Sequence, residues 1–356
     1  MKRIGRVLLS LILLLFIAFS VLGNNHEPGV YQGKIIQLDN FQKTPQIIQQ
    51  VLIVKFTNGP YNGKTATITH DFSGYPTELL YSIGNLIFVQ EFNNPPQRRF
   101  VVTGPVRDHV LYILIAIFAL CIIIIAGFQG IRSIISLSLI FMIIFYALVP
   151  LVIRGSNPIV VTLVLAAIST IFTIFFVSGV NQKTVAAVIG TISGVVTAGV
   201  LAWYFGEITL LTGYSDESIQ MLYYTASAVN FKGLLFSGIV IGALGAIMDI
   251  SVSIASSITE IKQSNPQISY NALVASGFRV GKDAISTMTN TLVLAYVGSS
   301  FPLLMLYQIH KTPYNRIINN DAVASELVRI FAGSIGLLAA VPITVFISAF
   351  LSYNDS

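Results

Sequence analysis

From Gly238 to Glu260 the chain reads GIVIGALGAIMDISVSIASSITE, a run apolar enough to cross a bilayer that carries one carboxylate, Asp249, well inside it. An Asp near the centre of a helix in lipid costs about 2.5–3.5 kcal/mol on insertion scales, so such a residue rarely sits there idle. Its neighbours are small: Gly238, Gly242, Gly245, Ser251, Ser253, Ser256 and Ser257. Small residues let helix backbones approach closely, and hydroxyls can hydrogen-bond across helices. The segment therefore reads as the inner wall of a helix bundle, with Asp249 facing the interior and not the lipid.

The rest of the chain is of the same kind. Of 356 residues, 54% are hydrophobic and only 10% charged, against about 25% charge in soluble domains. The fold class predicted is an α-helical polytopic membrane bundle of about 7–8 spans, with a small extracytoplasmic antiparallel β-barrel near the amino terminus. The one cysteine, Cys121, excludes a disulfide framework or a cysteine-based metal site within the chain. The net charge of +5 comes from basic residues dispersed at segment ends. That pattern fits topology signals in a cell membrane and excludes nucleic acid as a partner. No cofactor is implied.

Three parts follow in order. Residues 1–23 carry Lys2, Arg3 and Arg6 ahead of the apolar run Val7–Leu22. They read as a cleaved signal peptide or a retained first span, with retention favoured. Residues 29–108 alternate β-branched and aromatic runs with turn residues, giving strands at Tyr31–Leu38, Gln50–Phe56, Lys64–His70, Leu86–Phe92 and Phe100–Gly104. Five such strands predict a barrel of the OB or SH3-like kind. Within it His70-Asp71 lacks the further ligands of a metal site. Residues 110–351 form the membrane domain. Spans are expected at Val110–Ala126, Ser133–Val149, Ile159–Val177, Val185–Phe205, Gly233–Ile258, Ala284–Ile309 and Leu327–Leu351, with a short interfacial helix at Ser269–Val280. Gly190 and Gly194 carry a close-packing spacing that is also ordinary in membrane helices. Asp216, Glu217 and Glu207 lie in an acidic loop, and Glu260 beside Lys262 reads as a surface pair.

Alternation puts the amino terminus inside and the barrel outside. Lys183, Lys262, Arg279 and Lys282 then fall inside, as the positive-inside rule asks, while Arg154, Lys311, Arg316 and Arg329 fall outside and oppose it.

A second polar patch runs from Gly277 to Thr291. On a helix, Asp283, Thr287, Asn290 and Thr291 share a face by three- and four-residue spacing, and a polar face in a span must turn towards protein or water. Residues 238–261 and 277–304 (GFRVGKDAISTMTNTLVLAYVGSSFPLL) resemble the two signature regions of the YibE/F-like membrane protein family. The resemblance implies a multi-pass protein, usually taken for a permease, without a settled biochemical role.

The expected function is that of a membrane transporter for a small solute or ion, proton- or cation-coupled. Asp249 and Asp283 would be the protonatable or ion-binding groups, with Ser253, Thr287, Asn290 and Thr291 as neutral ligands. The structural alternative pairs Asp283 with Arg279 or Lys282 and lets Asp249 bond neighbouring helices. The functional alternative is a non-transporting assembly protein whose external domain binds a partner. Partners in either case are the bilayer and a homologous membrane subunit or a second copy. An enzyme is not expected. Gly245-Ala-Ile-Met-Asp249 is not an aspartyl protease motif, no His-Glu-x-x-His occurs, and His26, His70, His109 and His310 all fall outside the spans.

Overall fold

The computed structural model describes residues 29–354, apart from 45–46, 76, 95–96, 215–216 and 226–228. The apolar run Val7–Leu22, His26 and Asp216 lie outside the described residues. The chain divides into two compact units, one reaching to Gly127 and the other beginning at Phe128.

The first unit holds five strands close to those read from the alternation: β1 Val30–Thr44, β2 Ile47–Phe56, β3 Thr65–Phe72, β4 Leu86–Asn94 and β5 Gln97–Pro105. They form one antiparallel sheet in the order β3-β2-β1-β4-β5. The expected closure into a barrel is corrected here: among the described residues no ladder joins the edge strands β3 and β5. Alternation gives strands, whereas closure depends on register and stagger, which alternation does not state. A bulge at Ile36 shifts the β1–β2 register. Ile35, Leu52, Val54, Phe56, Ile68, Ile87 and Val89 pack the buried face. The amide of Gln50, almost fully buried, donates to Asn40 (3.0 Å) and to the Tyr81 carbonyl (3.2 Å) and accepts from the Tyr81 N–H (2.9 Å). It thereby ties the β3–β4 loop to the sheet. His70 and Asp71 point to different partners, as neighbours on a strand must. His70 Nε2 lies 3.0 Å from the Leu79 carbonyl, and Asp71 accepts from Lys43 and Gln49, both at 2.7 Å.

The helices are α1 Asp108–Ile143, a π-turn Ile144–Leu148, α2 Val149–Ile153, α3 Pro158–Ser178, α4 Gln182–Ile208, α5 Glu217–Thr225, α6 Phe231–Ser264, α7 Tyr270–Ser299, α8 Phe301–Ile309, α9 Tyr314–Ile318 and α10 Asp321–Asn354. Among the described residues five stretches, Asp108–Ile153, α3, α4, α6 and α10, are long and apolar enough to cross a membrane, and the bent pair α7–α8 makes up to six. The count of about 7–8 is lower among the described residues because elements read as separate run together. Val110–Ala126 and Ser133–Val149 belong to one helical stretch, interrupted where Gly127 takes φ 56°, ψ −131°, a backbone open to glycine. Ser269–Val280 is no separate interfacial helix but the first part of α7, capped by the Ser269 hydroxyl on Ala272 N–H. The next span does not run straight to Ile309, for the chain bends by 57° between α7 and α8.

Within the second unit α4, α6 and α10 form the interior. More than half of the most apolar window of each is buried, against a third for α3. Their approach is set by glycine. A Cβ on Gly194 would stand 2.7 Å from the Gly336 carbonyl oxygen, and one on Gly336 2.7 Å from the Gly194 oxygen, while one on Gly190 would strike Thr344. The Gly190–Gly194 spacing is thus a close contact between α4 and α10, and not mere tolerance of glycine. Thr191, Ser251 and Thr344, buried at this junction, each return their hydroxyl proton to the carbonyl four residues back at 2.7–2.8 Å.

Candidate functional site

α6 starts at the Asn230 cap, whose side chain accepts from Gly233 N–H at 2.9 Å. One broad side of the helix is then lined by large apolar groups. Phe236, Ile239, Val240, Ile247, Ile250, Ile254 and Ile258 are all buried. The opposite side carries Gly238, Gly242, Gly245, Asp249, Ser253, Ser256 and Glu260, all within an arc of about 80° at 100° per residue. No large apolar side chain stands on this stripe. It is half-buried at Gly238 and Ser256 and exposed at Gly242, Gly245, Asp249, Ser253 and Glu260.

The expectation that Asp249 faces the interior is therefore corrected. Large aliphatic groups fill a helix interface better than glycine and serine do, so the bulky side turned inward and the small side turned out. A Cβ at Gly238 or Gly245 would meet nothing within 4 Å. Among the described residues Asp249 has no hydrogen bond or ion pair.

α7 packs beside α6 and antiparallel to it. A Cβ on Gly277 would reach Ile258, one on Gly281 would reach Ile254 at 3.5 Å, and one on Gly242 would strike the Tyr296 hydroxyl. Interpolating these contacts puts Asp249 level with Thr287. The packed side of α7 includes Leu273, Gly277, Gly281 and Leu292, all buried. Asp283, Thr287, Asn290 and Thr291 are all exposed, Asp283 and Asn290 opposite the packed side and Thr287 and Thr291 towards its edge. Thr287 donates to the Ala284 carbonyl at 3.1 Å and Thr291 to the Thr287 carbonyl at 3.0 Å. With their protons spent on their own helix, these hydroxyls present oxygen lone pairs outward. Arg279 donates to Ser276 at 2.9 Å, and neither it nor Lys282 forms an ion pair with Asp283 among the described residues. The six residues singled out thus lie at similar depth on neighbouring helices, but no described contact joins Asp249 or Ser253 to the α7 group.

A cluster that sequence reading missed sits at the Gly242 end of the stripe. Glu326 Oε1 lies 3.3 Å from Arg329 Nη1, and the Arg329 guanidinium is 5.8 Å from the Tyr296 ring centre. Among the described residues, Glu326 Oε2 and Arg329 Nε are buried without a hydrogen-bond partner. Tyr296, Glu326, Ser300 and Leu327 line a small cavity of about 90 Å³. With the last span expected from Leu327, Glu326 falls in the loop before it. α10 in fact starts at Asp321, and Glu326-Leu-Val-Arg329 is an i,i+3 pair that could have marked it.

The family model described as YibE/F-like protein matches residues 114–354, about two thirds of the chain, including α6 and α7 entire. The chain belongs to the YibE/F-like family. No curated protein and no solved structure matches it. Both signature stretches lie within the family match, whereas the five-stranded sheet lies ahead of it.

Proposed function

We propose that this chain is a multi-pass membrane permease subunit, with its sheet outside a bacterial-type cell membrane, moving a small solute or ion along the stripe of α6. One observation carries the reading: an outward-facing line of glycine, serine and acid that runs the length of a membrane helix. From Gly238 to Glu260 it covers 22 residue steps, about 33 Å, close to the thickness of a hydrocarbon core. An exposed carboxylate at its middle would cost about 2.5–3.5 kcal/mol against lipid. A second wall, from a homologous subunit or a second copy, removes that cost and encloses a path. Asp249 is then the coupling or ion-binding carboxylate, level with the outward oxygens of α7. The test is flux of protons or sodium into proteoliposomes holding the full chain. Asp249→Asn is expected to abolish a flux that the parent supports, and equal fluxes would overturn the assignment.

The alternative, a non-transporting assembly protein, is favoured by a different observation. Buried apolar side chains of α3, α4, α6 and α10 form one cluster, so the stripe could simply seat a partner helix. Ser253→Cys, in a chain whose exposed Cys121 is replaced by Ser, separates the two. Labelling by a charged, membrane-impermeant thiol reagent is expected along a wet path. Protection from the reagent would support the assembly reading.

A further inference from the structure

We infer that the end of the bundle where α4 begins and α6 and α10 finish binds a phosphate-bearing anion. This goes beyond the transport reading and does not depend on it. A cavity of about 500 Å³ opens there, lined by Lys183 and Gln182 from α4, by Thr259, Glu260 and Lys262 from α6, and by Ser352 from α10, among others. The decisive group is Lys262. Sequence reading made it half of a surface pair with Glu260, yet it is 8% exposed and forms no ion pair among the described residues. Its ammonium donates to the Pro266 carbonyl at 2.9 Å and lies 4.8 Å from the Tyr353 ring centre. Both neighbours are uncharged, and an ammonium has three protons to give. A cation taken out of water without a counter-charge is costly, and an anion in the cavity supplies one.

Lys183 supplies a second cation in the lining, half-buried at the start of α4, where the helix dipole also favours negative charge. Glu260 in the same lining is exposed and has no ion pair among the described residues. Two lysines and one glutamate leave a formal +1, which matches the single charge of a phosphodiester better than a phosphate dianion. Thr259 and Gln182 add neutral hydrogen-bonding groups around the phosphate oxygens. Basic pockets between membrane helices are where lipid head groups dock, and a soluble phosphate ester presents the same group.

The experiment uses the full chain in detergent and follows its thermal midpoint while phosphatidylglycerol, phosphatidylcholine or inorganic phosphate is added. Phosphatidylglycerol is expected to raise the midpoint, and phosphatidylcholine, whose own ammonium offsets its phosphate, to do little. Lys183→Gln and Lys262→Met should each weaken the effect about tenfold in apparent affinity. A shift with inorganic phosphate equal to that with phosphatidylglycerol would assign the site to soluble phosphate esters. No shift with either anion, or an undiminished shift in Lys183→Gln, would overturn the proposal. Lys183 is only half-buried, so that variant decides the matter even if Lys262→Met does not fold.

Discussion

Asp71 illustrates how a residue whose sequence context resembles a site becomes structural once its partners are known. The Lys43 ammonium and then the Gln49 amide donate to its carboxylate, and these bonds hold it below its ordinary value of 3.8. Glu78 is held below its ordinary 4.5 by the backbone N–H and then the hydroxyl of Ser73. A carboxyl depressed in the folded state stabilises the fold above its unfolded value, and that stabilisation is lost as pH falls through the folded value. The sheet of the full chain should therefore melt at lower temperature as pH drops from about 5 to about 2. Asp71→Asn should show a smaller drop than the parent in the infrared β band. An identical drop would mean that the Lys43 and Gln49 bonds contribute nothing.

At the scale of the element, two glycines of the bundle have opposite duties. Gly194 faces the Gly336 backbone at a distance no side chain can share, whereas a Cβ at Gly245 has nothing within 4 Å. Gly194→Leu must part α4 from α10, at a cost of about 1–3 kcal/mol, and should lower the thermal midpoint of the detergent-solubilised chain. A Cβ at Gly245 meets nothing within 4 Å, and the residue borders a cavity of about 180 Å³, so Gly245→Leu should leave that midpoint within about 0.5 kcal/mol of the parent. In proteoliposomes, however, it plants a bulky group on the stripe beside Asp249 and should reduce flux. The reverse pattern would mean that the stripe is a packing surface of the single chain.

Across the whole molecule, legibility followed from what each residue's signal depends on. The strands were readable because Asn62-Gly63 and Ser73-Gly74 punctuate alternating runs, and α3 because Asn157 and Pro158 cap and open it. The sheet's open edges were not, since pairing between distant strands leaves no local mark. α7 was cut in two because Arg279, Lys282 and Asp283 looked like the end of an inner loop, although nothing in them breaks a helix. Asp249 was expected to face the bundle interior, and it is exposed instead. Small size is equally good for touching another backbone and for leaving a gap, and Asp249 stands among residues of both uses. Lys262 and the Glu326–Arg329 pair were missed because charges near helix ends read as solvated until packing is seen to cover them.

The stripe on α6 also has a direction. Its first third is bare glycine, overlain at Gly242 by the Tyr296 hydroxyl, while its remainder bears Asp249, Ser253, Ser256 and Glu260. A straight helix laid on it would touch backbone at one end and be held away by side chains at the other. On the permease reading proposed above, the space under such a helix would taper towards Tyr296 and widen towards Glu260.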